Sequence, residues 1–201
     1  MCYPLILQRK CGFFGNYLLS TESEDVKRAA LDFGFKEDYT RPAELAFSLS
    51  SVWDAVEHGL KWLEGRGKKT DYVALLHPTS PCLKAKTVKE AFETIIDMAA
   101  SVDALVSTSV SNPYSWSAAE TYPKFQTVLG TQFTIPRLEL NNAIYIAKWD
   151  RLREEVNGYT LKWTHFTIPA DEAIDIDDKA DFQIAEAILQ WRRTHEKEET
   201  E

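Results

Sequence analysis

The chain has 201 residues, of which 31 are acidic and 23 basic, giving a net charge of −8 and a pI of about 5.1. The acidic balance argues against a nucleic-acid backbone binder, whose surface carries a basic face, and leaves small anionic ligands open. Apolar residues at 44%, six tryptophans among them, exclude wholesale disorder, and no apolar run approaches the roughly 18 residues of a membrane span. Cys2, Cys11 and Cys82 form no CxxC pair, so neither a disulfide framework nor a zinc site is expected. The opening stretch MCYPLILQRKCGFFGNYLL sets Arg9 and Lys10 among its apolar residues, unlike a signal peptide. A cytoplasmic protein of one domain, residues 1–201 with a polar tail at 192–201, is the expectation.

In chain order, Thr21-Glu22-Ser23-Glu24 has capping-box spacing and predicts a helix running towards Phe33, with Gly34 as its stop. Ser51-Val52-Trp53-Asp54 opens a second helix whose apolar positions Val52, Trp53, Val56, Leu60 and Leu63 follow the helical period up to Gly65. Tyr72–Leu76 is a short continuous apolar run, the pattern of a strand buried on both faces. Thr87-Val88-Lys89-Glu90 reads as another capping box, leading a helix with Val88, Phe92, Ile95 and Ala99 on one side. Ala104–Val110 is the next strand. Residues 111–138, rich in Ser, Asn, Pro, Tyr and Trp, suggest hairpins or a protruding arm. Ala143–Ala147 follows as a strand, Trp149–Val156 as a short helix ended by Asn157-Gly158, and Tyr159–Ile168 as an extended segment. Asp178–Trp191 is the last helix, with Phe182, Ala185, Ile188 and Leu189 facing inward. Strands alternating with helices predict an α/β fold with a mostly parallel sheet, whose ligands sit beyond the carboxyl ends of the strands.

Three stretches carry chemistry. In Ile174-Asp175-Ile176-Asp177-Asp178, two carboxylates two residues apart in an extended segment point to the same side and can reach one hard cation such as Mg²⁺. The alternative is that Asp177 and Asp178 cap the following helix. His77-Pro78-Thr79-Ser80-Pro81 follows a buried strand, where hydroxyls and free backbone N–H groups suit phosphate or sugar oxygens, or else it is a plain Pro-rich turn. Arg41, in the loop Arg41-Pro42-Ala43-Glu44, can clamp an anion with its planar fork or form a surface salt bridge. Gly65-Arg66-Gly67-Lys68-Lys69 follows a helix and so lacks the strand–loop–helix context of a phosphate loop.

Six stretches in this order resemble the acylneuraminate cytidylyltransferases (CMP-sialic acid synthetases): LLSTESEDVKRAALDFGF, RPAELA with SSVWDAVEHGL, ALLHPTSPCLKAKTVKEAFE, VDALVSTSVSNPYSW, LNNAIYIAKWDRL and AIDIDDKADFQIAEAIL. The resemblance implies a Rossmann-like nucleotide-diphospho-sugar transferase fold and a dimerisation arm at residues 111–138 in a homodimer. It also implies a Mg²⁺-dependent reaction in which the anomeric hydroxyl of a sialic-acid-like sugar attacks the α-phosphate of CTP. By position, Asp175 and Asp177 match the family's metal-binding and catalytic aspartates. Arg41, Ser51, Thr79 and Ser80 lie where the family contacts the nucleotide; His77, Asn141 and Tyr145 lie near the sugar. His77 stands for the family's usual glutamine, Glu22 for the aspartate of STD and Asn142 for the glycine of NGA. The family opens with a strand and a loop of the type ARxGSKxxxxKN, whereas the likeness here begins at CGFFGNYLLSTESE, so an N-terminally truncated fold is expected. The alternative function is a catalytically impaired homologue that binds sugar or nucleotide or serves as a dimer partner. A glycosyltransferase using Asp175-Ile176-Asp177 is a third reading, disfavoured because that motif lies near the C-terminus.

Overall fold

The computed structural model describes residues 14–35, 39–47, 51–68, 70–111, 136–154 and 160–195. Most of the expected arm at 111–138, the apolar stretch Tyr3–Leu7, the Asn157-Gly158 helix end and the last six residues lie outside them. Four strands, β1 (Tyr72–Leu76), β2 (Ala104–Ser111), β3 (Arg137–Lys148) and β4 (Trp163–Thr167), form one sheet in the order β1-β3-β2-β4. β4 pairs parallel to β2, with Ala104 opposite Trp163. β3 runs antiparallel to both its neighbours, with Ala147 opposite Val73 of β1 and Ala104 of β2. Three of the four strands therefore point the same way, as the alternation of strands and helices predicts, and β3 enters the sheet against them.

Adjacent strand residues face opposite sides of a sheet, and each side has its own helix. On one side α2 (Val52–Glu64) sets Leu60 and Leu63 against Ala104, Ala147, Trp149 and Leu152. On the other side α3 (Ala85–Asp97) presents Val88, Ala91 and Ile95 to Leu76, Leu105, Ile144 and Ile146, all nearly inaccessible. The apolar spacing of these two helices in the sequence is what commits them to the two faces. α1 (Glu24–Leu31), a 3₁₀ turn (Ala43–Leu45), α4 (Trp149–Glu154) and α5 (Lys179–His195) complete the described elements. No helix among the described residues is long and apolar enough to cross a membrane. A mostly apolar cavity of about 330 Å³ lies between Phe14–Leu18, α2 and β1, and none of the predicted site residues lines it.

Several helix ends differ from the sequence reading. Ser23, not Thr21, caps α1, its hydroxyl accepting from the Val26 N–H, while Thr21 Oγ1 takes the Ser23 N–H. The stop at Gly34 does form: its φ of 81° permits the Phe35 N–H to reach Ala30 O and its own N–H to reach Leu31 O. α3 begins ahead of the expected Thr87 box because buried Glu172, from a distant loop, accepts the Lys84 N–H at 2.9 Å and supplies the cap. In α5, Ala185 is buried but Phe182 is 47% exposed. The helix also continues to His195, so residues 192–195 are not tail: Arg192 is 5% exposed and donates to Cys82 O and to the Asp171 backbone and carboxylate oxygens. A buried guanidinium needs such oxygens, and they anchor the helix over the loop after β1.

The core assignment has a direct test. Leu105→Ala, at a fully buried site near the start of β2, is expected to cost about 2–5 kcal/mol in urea unfolding. Leu138→Ala, at a half-exposed position, should stay within about 0.5 kcal/mol.

Candidate functional site

The site is shaped by an irregularity in β3. The β2–β3 register shifts between Val106, opposite Tyr145, and Thr108, opposite Leu140, so a short excursion of β3 faces Ser107. Backbone groups that lose ladder partners there are taken up by side chains. Ser107 Oγ accepts the Ile144 N–H at 2.9 Å and donates to Asn141 Oδ1 at 2.5 Å; Asn141 Oδ1 also accepts the Ala143 N–H. Ser107 is fully buried and Asn141 is 6% exposed. The turn passes through Asn142 at φ 57°, a left-handed conformation that asparagine tolerates better than other side-chain-bearing residues. That accounts for asparagine where a glycine is otherwise expected.

Asn142 is also the residue that sequence reasoning missed as a site residue. Its Oδ1 accepts from the Tyr145 hydroxyl at 2.7 Å and its Nδ2 donates to Asp175 Oδ2 at 3.4 Å. The signal was an asparagine at a glycine position, which marks both a left-handed turn and a new polar side chain. The segment bearing Asp175 is held in place by the Ile176 N–H on Thr79 O at 2.9 Å, which joins the Asp175-Ile176-Asp177 stretch to the His77–Ser80 loop. The His77 ring lies 5.9 Å from that of Tyr145. Burial lowers the His77 pKa below its usual 6.5, with the Asp175 carboxylate opposing that shift; burial and Asp175 both raise the Tyr145 phenol.

Four of the predicted residues, His77, Thr79, Tyr145 and Asp175, are thus brought together, with Ser80 in the same loop and Asn141 at the base of the bulge. Among the described residues, His77 Nε2, Ser80 Oγ and Asn141 Nδ2 are buried without a hydrogen-bond partner. Each such group costs about 1–3 kcal/mol of desolvation. All three belong to residues picked from the sequence as ligand contacts. Asp178 makes a reciprocal cap with Asp181: its Oδ1 accepts the Ala180 and Asp181 N–H groups, and Asp181 Oδ2 accepts those of Asp177 and Asp178. Capping therefore falls to Asp178, and the Asp177 carboxylate accepts no hydrogen bond from the described residues. No group of three or more His, Cys, Asp or Glu among those residues is placed to hold a metal ion.

Two predicted residues serve other contacts. Ser51 caps α2, its Oγ accepting the Trp53 N–H at 3.2 Å. Arg41 is paired with Glu22, whose carboxyl it holds below the usual range through hydrogen bonding and charge. The salt-bridge alternative for Arg41 is the one the structure displays.

No protein-family model matches the chain. A pseudaminic acid cytidylyltransferase of Campylobacter jejuni is 29% identical over 85 residues, which make up 42% of this chain and 37% of that protein. The match thus spans little more than a third of that relative's length. The CMP-N,N'-diacetyllegionaminic acid synthase of Legionella pneumophila is 26% identical over 86% of this chain and 77% of its own. The post-translational flagellin modification protein B of Campylobacter coli is 24% identical over 98% and 87%. Among solved structures, CMP:2-keto-3-deoxy-manno-octonic acid synthetase complexed with CTP superposes with a TM-score of 0.61 at 12% identity, covering 94% of this chain and 88% of that one. The 4-diphosphocytidyl-2C-methyl-D-erythritol synthase of Anaerococcus prevotii gives 0.62 at 13%, covering 94% and 87%. The fold is that of CMP-sugar synthetases and related nucleotidyltransferases, and the distant relatives support a sialic-acid-type CMP-sugar synthetase family without singling out a member.

Two expectations test this geometry. Asn142→Gly, which suits the positive φ, should leave unfolding stability within about 1 kcal/mol, whereas Asn142→Val should cost about 1–3 kcal/mol in the same measurement. The second concerns pH. Because His77 binds a proton less readily folded than unfolded, its contribution is fully present above about pH 6.5 and is lost as pH falls towards the folded pKa. Urea midpoints for the parent chain should therefore fall more between about pH 7.5 and about pH 5.5 than those of His77→Gln, which carries no titrating ring. Parallel pH profiles would remove His77 from the buried cluster.

Proposed function

We propose that the chain is a cytidylyltransferase that activates an N-acylated nine-carbon sugar acid with CTP, releasing pyrophosphate and the CMP-sugar. The observation that carries this reading is that His77, near the Asp175 carboxylate, and Ser80 and Asn141 on the neighbouring loop and strand each bury a polar atom with no hydrogen-bond partner among the described residues. Such atoms are expected where a ligand completes the hydrogen bonding, and in an open α/β sheet the carboxyl ends of the strands are where ligands sit. The names and substrates of the relatives support the same class. In the reaction the anomeric oxygen of the sugar acid forms a bond to the α-phosphorus, the bond to the bridging oxygen breaks, pyrophosphate leaves with the electron pair and the hydroxyl proton passes to solvent.

In this reading Thr79 and Ser80 face the nucleotide phosphates from the loop after β1, Ser51 and Arg41 lie towards the nucleotide, and His77, Asn141 and Tyr145 contact the sugar. Asn142 positions Tyr145 and Asp175 together. Asp175 and Asp177 would hold Mg²⁺: one or two carboxylates completed by phosphate oxygens and water satisfy that ion, and Asp177 is left uncommitted by the cap. The ion would supply positive charge over the phosphates as the leaving group departs. A binding-only homologue is the second reading, favoured by the engagement of Arg41 with Glu22.

The test is incubation of the chain with CTP, Mg²⁺ and a panel of nonulosonic acids, reading pyrophosphate release and CMP-sugar formation. Turnover that drops by about a hundredfold or more in Asp175→Asn, with the fold intact by circular dichroism, is the expected result. Sugar or CTP binding without any turnover would favour the second reading, and neither binding nor turnover would overturn both.

A further inference from the structure

α5 carries an arginine where its apolar spacing calls for a core side chain. Ala185, Ile188, Leu189 and Arg192 fall on one stripe of the helix, and Arg192 is more deeply buried than Ile188 or Leu189. Its guanidinium reaches two loops. Nη1 donates to Cys82 O at 2.5 Å, and Nη2 donates to Asp171 O at 3.1 Å and to Asp171 Oδ2 at 2.5 Å. Hydrogen bonding to Arg192 holds the Asp171 carboxyl below its usual range, against the opposing effect of burial. Both anchored residues stand close to the site along the chain: Cys82 follows Ser80 by two residues, and Asp171 precedes Asp175 by four. The chain around them is tightly turned. The Ser80 N–H bonds to His77 O at 3.2 Å and the Leu83 N–H to Ser80 O at 3.5 Å, while the Glu172 and Ala173 N–H groups bond to Pro169 O and Ala170 O at 3.0 and 3.3 Å. A shift at either anchor is therefore passed on to the site. Glu172 on the Lys84 N–H and the Ile176 N–H on Thr79 O tie the same two loops directly, and Arg192 adds a tie from a third element.

Stability alone does not account for an ionised group at this position. The desolvation of a buried ion pair cancels much of its attraction, and well-packed apolar residues of similar volume often serve folding as well or better. A planar fork supplies what an apolar side chain lacks, a fixed distance and direction between the groups it joins. We infer that Arg192, with Asp171, is a positioning residue for the reaction: it holds the Asp175 segment and the His77–Ser80 loop at the separation in which the bound sugar acid and nucleotide meet. The inference rests on the cytidylyltransferase reading and adds to it a residue that acts through Asp171 and Cys82 and not by contact with substrate. In-line attack tolerates little displacement, so a shift of about 1 Å caused from a distance can cost about a hundredfold in rate.

The experiment uses the full chain with CTP, Mg²⁺ and a sugar acid that the parent turns over. Arg192→Ala should lower kcat about ten- to a hundredfold while the KM values for CTP and sugar change by about threefold or less. Arg192→Lys, which keeps the charge without the fork, should recover part of the loss. Millimolar guanidinium ion should restore turnover to Arg192→Ala where the same concentration of sodium ion does not. Hydrogen exchange gives a readout independent of turnover: the Ile176 amide, bonded to Thr79 O, should exchange about tenfold faster in Arg192→Ala, with the Leu105 amide of the core unchanged. Should Arg192→Ala fold poorly, Asp171→Ala, at a side chain that is 53% exposed, removes one side of the tie and should lower kcat in the same direction by less. An unchanged kcat in folded Arg192→Ala would overturn the positioning role while leaving the cytidylyltransferase reading in place. So would a loss that guanidinium does not restore and that leaves Ile176 exchange at the parent's rate. A parent chain that neither binds nor turns over any sugar acid would overturn both.

Discussion

The arrangement depends on one strand running the wrong way. β3 enters the sheet antiparallel between β1 and β2, and its bulge is fixed by the buried side chains of Ser107 and Asn141, which bond to each other and to the backbone of β3. Without those two side chains the N–H groups of Ala143 and Ile144 would lose the acceptors they have inside the sheet. Side chains along a strand alternate between faces, so a slip of one residue would turn Tyr145 away from α2 and Asn142 away from Asp175. The bulge therefore sets both the register of the core, where Ile144 and Ile146 meet α3, and the position of the polar groups at the site.

Polar groups dominate one end of that frame and apolar ones the other. At the polar end His77 Nε2, Ser80 Oγ and Asn141 Nδ2 are buried without a hydrogen-bond partner among the described residues, with the Asp175 carboxylate near His77, an arrangement that is costly unless a ligand completes it. Farther along the same face, Trp53 packs against the apolar cluster that contains Leu60, Leu63, Ala104 and Ala147. The loop carrying Asp175 and Asp177 is fixed from several directions: by Thr79 through the backbone, by Asn142 through its amide, by Glu172 capping α3 and by the Asp178–Asp181 box leading into α5. Rigid support of this kind is what places reacting groups within the narrow tolerances that catalysis requires.

Much of this was legible in the chain itself. The apolar run Tyr72–Leu76 and the helical spacing of α2 and α3 located the layers, because burial imposes those periods directly. The strand-end loop and the paired aspartates stood out because few residue types serve phosphate and cation binding. What escaped was non-local. Glu172 caps α3 from more than eighty residues away, so the local Thr87–Glu90 spacing pointed to a later start. Phe182 read as inward from its spacing, yet the inward face of α5 is set by Ala185 and by Arg192, a charged residue that patterning assigned to the tail. The Glu22 partner of Arg41 and the edge-on contact of Trp53 with Tyr145 likewise depend on chain segments that meet only in three dimensions.

The central claim is that the end of the sheet bearing His77, Asn141 and Asp175 is where the substrate lies. A crystal structure of the chain soaked with a CMP-linked sugar acid tests it most directly. The account predicts density for the sugar between Tyr145 and Asp175, with ligand oxygens within hydrogen-bond reach of His77 Nε2 or Asn141 Nδ2. Density instead in the apolar cavity beside β1, with those atoms still unpartnered, would contradict it.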